Sequence, residues 1–240
     1  MPLSPRRTLK QFKYAMYFDG VDDYVKVANN PSLNPSQGTW IIRNLLRPSD
    51  GRFRAIAGKY DYDSSLGKYT GWDFYIDPGN VYIFFFRYPQ YININDNSPQ
   101  FNVFSFYALA NNGSESRLYR NGALIATASM QFPSPTPWDI YIGTRRPGDL
   151  QGYHMIAQFL FYSRALSDSE ILWNYQYPDN PVRNGLVLWL QADPRYIKDI
   201  DNDGVLEWID LSGFNNHGKI YGAQLVQLVK TPSRVLKPAR

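Results

Sequence analysis

The chain has 240 residues, a net charge of +4 and no cysteine, which excludes a disulfide framework and a thiolate metal site. Aromatics at 16%, with 17 Gly and 17 Pro, favour short strands punctuated by turns and point to an all-β class. The positive charge gathers at the ends, where Arg6, Arg7, Lys10 and Lys13 mark a basic tail over residues 1–13 and Lys230, Arg234, Lys237 and Arg240 another over 230–240.

In chain order, Tyr14 to Val27 (YAMYFDGVDDYVKV) alternates apolar and polar residues on both sides of Asp19-Gly20-Val21-Asp22-Asp23. That pattern predicts two half-buried strands joined by a tight turn. A loop rich in Asn, Pro and Ser occupies 29–38, and strands are expected over 39–46 and 53–59. The stretch YDYDSSLGKYT, residues 60–70, reads as an exposed polar loop. Strands follow at 72–76 and 81–88, separated by the turn Asp77-Pro78-Gly79-Asn80. Ile83-Phe84-Phe85-Phe86 does not alternate, so this strand is expected to be covered on both faces or to meet another subunit. Strands at 91–95 and 101–108 continue the series. Asn121-Gly122 predicts a type I′ hairpin, and further strands lie at 138–143 and 159–162. Ser167-Asp168-Ser169-Glu170 is a capping-box pattern opening one short helix to Tyr175, ended by Pro178.

Phe18 to Val25 and Phe161-Tyr162-Ser163-Arg164-Ala165-Leu166-Ser167 with Glu170-Ile171 resemble two motifs of the laminin-G-like, concanavalin A-like family. Residues 118–125 match a third, the hairpin of the form Y-x-N-G-x-x-V. The resemblance implies a two-sheet antiparallel jelly-roll sandwich over 14–178. Residues 179–229, with GLVLWLQAD and WIDLSGFNNHG, are similar to the beginning of the same family but come last here. A cyclic shift of strand order follows, and this segment is expected to complete the sandwich of its own chain, with completion of a neighbour's sandwich or a small separate unit as the alternatives.

Asp199 to Asp210 places carboxylates at loop positions 1, 3, 5 and 12 and Gly at position 6. This is the spacing by which an EF-hand-type loop wraps oxygens round calcium, so Asp199, Asp201, Asp203, the Val205 carbonyl and Asp210 are the candidate ligands. The alternative is an acidic turn with no ion. Asp19, Asp22 and Asp23 match positions where the family resemblance implies a structural calcium. The family's acids on the late strand are replaced here by Ala157 and Gln158, and turn chemistry is the favoured reading. Tyr60, Tyr62, Tyr69, Trp72 and Tyr88 are candidates for an aromatic sugar-binding edge, each also readable as sheet packing. Glu115, Glu170 and Glu207 lack the paired context of a glycosidase, and His154 and His217 stand alone, so no catalytic residues and no enzyme are expected.

Two functional readings remain open. One is a non-enzymatic structural or surface protein, a virion or assembly component that self-associates and has a role in host attachment. The late GLVLWLQAD segment resembles parts of structural proteins of archaeal viruses. The other is a calcium-assisted, lectin-like module that binds glycan or a cell-surface protein. Nucleic acid is expected only at the basic tails. No run reaches the ~20 apolar residues of a membrane span. Residues 1–18 hold no apolar segment of secretory-signal length, so an extracellular or virion-surface location is expected without a recognisable signal.

Overall fold

The computed structural model describes residues 12–228 and is built from two antiparallel sheets. In chain order the strands are β1 (Tyr14–Asp19), β2 (Tyr24–Val27), β3 (Gly38–Leu46), β4 (Arg54–Asp63), β5 (Lys68–Ile76), β6 (Tyr82–Phe86), β7 (Ile92–Asp96), β8 (Phe104–Asn111) and β9 (Glu115–Arg120). They continue with β10 (Ala123–Ser129), β11 (Ile140–Ile142), β12 (Tyr153–Tyr162), helix α1 (Asp168–Gln176), β13 (Leu186–Gln191), β14 (Ile197–Lys198), β15 (Glu207–Trp208), β16 (Gly218–Tyr221) and β17 (Gln224–Gln227). One sheet has eight strands in the order β10-β9-β8-β3-β12-β1-β17, with β13 also on β12. The other has nine, β14-β15-β16-β2-β11-β4-β5-β6-β7.

The local signals act as their chemistry demands. Asn121 and Gly122 both have positive φ, 51° and 81°, and close the β9–β10 hairpin. The Ser167 side chain and Glu170 form a reciprocal capping box at the start of α1. Between the sheets the indole of Trp40, 1% exposed, is ringed by Trp72, Phe74, Phe86, Phe132 and Phe161 at centroid distances of 5.1–5.6 Å.

The late segment enters both sheets. Strand β12 pairs with β3 along one edge, while its other edge is divided: residues 153–156 pair with β1 and 158–162 with β13. Leu188 and Leu190 of β13 face the inter-sheet core, and Leu186 and Trp189 join a second cluster with Leu166, Tyr162 and Ile171 of α1. Both faces of β13 are covered, which accounts for its apolar residues at successive positions. The same logic holds for β6, where Phe84 and Phe86 lie in the core while Phe85 sits half-buried under the Arg87 guanidinium at 4.2 Å.

One expected element is corrected. Residues 60–70 are not a loop, because β4 runs to Asp63 and β5 begins at Lys68. The pairs Tyr60↔Gly71, Asp61↔Thr70 and Tyr62↔Tyr69 extend the hairpin, since aromatic side chains opposite one another stabilise a ladder.

Candidate functional site on the nine-stranded sheet

Cross-strand partners in a sheet share a face, so the register defines a row across all nine strands. It reads Lys198, Glu207, Lys219, Lys26, Tyr141, Gly58, Asp73, Phe85, Asn93. On β5 the inward positions are Trp72, Phe74 and Ile76, so Tyr69, Gly71, Asp73 and Tyr75 lie on the outer face with this row. That parity decides the fate of one candidate. Trp72 is 3% exposed and packs on Trp40 and Phe74, so it is core and offers no surface to a ligand.

The tyrosine end is built on β4 to β7. Tyr60 is buried: Tyr69 stacks on it at 5.1 Å and 12°, and the Arg87 and Arg145 guanidiniums lie 4.6 and 4.7 Å from its ring centre. The same two arginines hold Asp73, which has no exposed surface. Arg87 donates to both carboxylate oxygens at 3.1 and 3.2 Å, and Arg145 approaches to 3.6 Å. Burial pushes the Asp73 carboxyl up, and the two guanidiniums oppose that shift. On this fixed floor stand Tyr62, Tyr69 and Tyr91, exposed at 48%, 38% and 52%. Tyr62 meets Tyr69 edge-on at 5.2 Å, and the Tyr91 hydroxyl donates to the Tyr69 carbonyl at 3.0 Å. Tyr88 is half-buried with the Lys68 ammonium 5.2 Å from its ring. Asp61 is paired with Arg146 at 2.6 Å beside this patch. Of the five aromatic candidates the structure therefore gathers Tyr62, Tyr69 and Tyr88 at the surface, with Tyr60 beneath them. Tyr91, Arg87, Arg145 and Asp73 were not singled out by sequence reasoning. Asp73 carried a parity signal, whereas the arginine partners come from separate loops.

The acidic loop lies at the opposite end of the same face. Ligand oxygens of Asp199, Asp201 and Asp203 fall within 4.8 Å of one another. The Lys219 ammonium lies between Asp201, at 2.8 Å, and Asp203, and these hydrogen bonds raise its pKa. The mutual repulsion of the carboxylates, the ground for expecting calcium, is thus answered by a cation of the chain itself. Asp203 also accepts from the Val205 amide, as in an ordinary Asx turn, and Asp199 from the Gly204 amide five residues on.

The expected twelve-residue ligand set is corrected at Asp210. Its Oδ1 accepts from the Trp189 and Ser212 amides at 2.8 and 2.9 Å, and its Oδ2 from the Ser212 hydroxyl and the Asn216 amide at 2.7 and 2.9 Å. Four hydrogen bonds occupy this buried carboxylate away from the acidic trio, so the residues present do not form an EF-hand ligand sphere. The stretch WIDLSGFNNHG is instead a clamp. Asn216 donates to the Val187 carbonyl at 2.7 Å, His217 Nδ1 accepts from the Asp210 amide at 3.0 Å, and Gly218 lies where a Cβ would come within 2.5 Å of Val25. It ties β13 in one sheet to β16 in the other.

Asp19 and Asp23 serve their own turn, Asp19 accepting from the Val21 amide and Asp23 from the Asp19 amide, both at 2.8 Å. Asp22 lies with them as an exposed third carboxylate. Glu170 is used by the helix cap and by Arg164 at 2.6 Å, Glu115 lies exposed at the start of β9, and Glu207 is buried in β15. His154 is enclosed, and burial pushes it down to about 3.

A two-sheet jelly roll with an aromatic and charged outer face belongs to the lectin-like class of sandwiches. Residues 19–172 match the family model described as the concanavalin A-like lectin/glucanases superfamily, and the chain belongs to that family. Among solved structures it is similar to a candidate carbohydrate-binding protein of Bacteroides ovatus, with a TM-score of 0.68 and 16% identity over 91% of this chain. It spans 61% of that protein's chain. It is also similar to the CBM40 domain of the Ruminococcus gnavus IT-sialidase bound to α2,3-sialyllactose (TM-score 0.51, 14% identity, 68% of this chain and 98% of that one). A third is the binding domain of botulinum neurotoxin DC in complex with SialylT (TM-score 0.51, 16% identity, 70% and 44%). Identities this low establish the shared fold. Among curated proteins no sequence matches.

Proposed function

We propose that this chain is a non-enzymatic glycan-binding module whose contact surface is the outer face of the nine-stranded sheet. The observation that carries this reading is the exposure of Tyr62, Tyr69 and Tyr91 at one end of that face, above a floor fixed by Tyr60, Arg87, Arg145 and Asp73. The C–H face of a pyranose packs on an aromatic ring, and the Asp61–Arg146 pair lies beside these rings to meet its hydroxyls. Preorganisation favours binding here, because the platform is held by stacking and ion pairs before any ligand arrives. The carbohydrate-binding proteins named above share the fold and support the reading by analogy.

Display of glycans on cell exteriors makes an extracellular or particle-surface location the natural setting. No described helix is long and apolar enough to cross a membrane. The virion-assembly reading rests on the resemblance of the GLVLWLQAD segment, on the absence of cysteine and of a recognisable signal, and on the basic tails, which except for Lys13 lie outside the described residues, whereas recognition draws on side chains in place. The test is a glycan array with and without chelator, read for the intact chain and for Tyr62→Ala and Tyr69→Ala. Binding to a defined glycan set that falls about tenfold in each variant is expected, the usual scale for truncating an aromatic anchor. An array without signal, or signal indifferent to both substitutions, overturns it.

A further inference from the structure

At the other end of the face, a cleft of about 330 Å³ opens between the acidic loop and strands β2 and β16. We propose that it is a second sugar subsite, selective for a neutral pyranose residue over an acidic one. This inference rests on the reading of the chain as a glycan binder, but not on the tyrosine platform.

The volume lies in the range of small-ligand sites, about 300–1,000 Å³. Tyr221 lines it and is stacked on Tyr24 at 4.7 Å and 22°, with Tyr141 edge-on to Tyr24 at 5.9 Å, so the aromatic wall is fixed. Ile200, 47% exposed, lines it as an apolar element. Wall and lip together suit the C–H face of a sugar ring.

The polar groups are those a hydroxyl requires. Glu207 lines the cleft although it is 2% exposed. Its Oε2 accepts from the Ile200 amide at 2.9 Å, while its Oε1 has the Lys219 ammonium at 3.9 Å, beyond hydrogen-bond length. A buried carboxylate oxygen short of a donor accepts strongly from a hydroxyl. His217 supplies the complementary group. A backbone amide can only donate, so the Asp210 N–H to Nδ1 contact leaves the ring proton of the neutral imidazole on Nε2 as a donor. Asn215, exposed and held at a φ of 58°, lines the same cleft and offers both a donor and an acceptor. A sugar hydroxyl is donor and acceptor at once and can meet all three.

Charge sets the class of sugar. The two cations lining the cleft are already engaged, Lys26 with Asp139 at 3.0 Å and Lys219 with Asp201 and Asp203. Asp201 and Glu207 line it as carboxylates. A sugar acid would bring its negative charge beside these groups with no unpaired cation among the lining residues to receive it.

Isothermal titration and saturation-transfer NMR with the methyl pyranosides of glucose, galactose and mannose, and separately with N-acetylneuraminic acid, test this. The chains compared are the full protein, Tyr221→Ala, Asn215→Gly and Tyr69→Ala. At least one neutral glycoside is expected to bind, weakened about tenfold by Tyr221→Ala and about fivefold by Asn215→Gly, and unchanged by Tyr69→Ala. Asn215 is exposed and glycine accepts its φ of 58°, so this variant reads the site even if loss of the Tyr24 stack unsettles the other. Binding that responds to Tyr69→Ala alone overturns the subsite and leaves the module standing. N-acetylneuraminic acid binding that depends on Tyr221 overturns the neutral class. No binding of any monosaccharide overturns the subsite, and a blank glycan array beside it overturns the module as well.

Discussion

The two ends of the outer face are built on opposite plans. Strands β4 and β5 are ten and nine residues long, and their outer side chains are closed over: Tyr60 by Tyr69, and Asp73 by two arginines from separate loops. Strands β14 and β15 have two residues each, and the intervening loop turns through Asn202 and Gly204 at positive φ. Long ladders bring neighbouring side chains into register and fill the space above them. Short ones leave loops standing off the sheet, with a hollow between. The closed end is therefore a platform with buried ionisable groups, and the open end a cleft whose charged groups, apart from the buried Glu207, face water.

Removing the open end tests this contrast most severely. Truncation after Pro178 takes β14, β15 and β16 from one sheet and β13 and β17 from the other, uncovering residues 158–162 on one edge of β12. An insoluble or molten product is expected, seen as loss of near-ultraviolet circular dichroism. A fragment that folds cooperatively and polymerises with added 179–240 peptide would show that the segment pairs between chains.

Asp73→Ala should destabilise the closed end by about 3 kcal/mol in urea unfolding, since it leaves Arg87 without its buried partner, while Arg145 keeps Asp149 at 2.7 Å. A change below 1 kcal/mol would mean that the cluster is solvated rather than closed.

The buried groups also predict pH windows. Burial holds His154 down to about 3 from its ordinary 6.5, so the unfolded chain binds the extra proton between those values and stability is lost as pH drops through that range. Both His154 nitrogens lack hydrogen-bond partners, and His154→Leu should flatten this limb. Lys59 donates only to neutral oxygens of Asn29, Thr136 and Trp138, and burial holds it down to about 8 from 10.5. Its deprotonation in the folded state makes stability rise between those pH values. Urea midpoints measured across pH 3 to 10.5 that stay level would contradict both assignments.

The smallest effect belongs to the open end. Lys219→Met leaves Asp199, Asp201 and Asp203 without their ammonium, and a slight fall in melting temperature, recovered by millimolar calcium, is expected. Identical calcium responses in variant and parent would show that ammonium and metal do not compete for the loop.

Much of the scaffold was legible because its signals are local: the alternation of 14–27, Asn-Gly at 121–122 and the cap at 167–170 each involve a few adjacent residues. The tyrosine hairpin was not, because Asp and Ser around it imitate a loop while the pairing of Tyr62 with Tyr69 depends on the partner strand. Trp72 could have been placed inside by its parity with Phe74 and Ile76. Asp210 was misread because one carboxylate spacing serves both a metal loop and a hydrogen-bonded clamp, and only the distant Trp189 amide distinguishes them. The cleft gathers Lys26, Glu207, His217 and Tyr221 through the register of β2 with β16, which no local pattern carries.

The central claim, that the outer face of the nine-stranded sheet is the sugar-binding surface, is tested most directly by mapping amide chemical shifts while titrating the glycan retained most strongly on an array. Shifts confined to β2, β4, β5, β16, the residues around Tyr91, and the loops at 199–207 and 213–217 are the predicted result. Shifts clustered instead on β8, β9 and α1, against the outer face of the eight-stranded sheet, would contradict it.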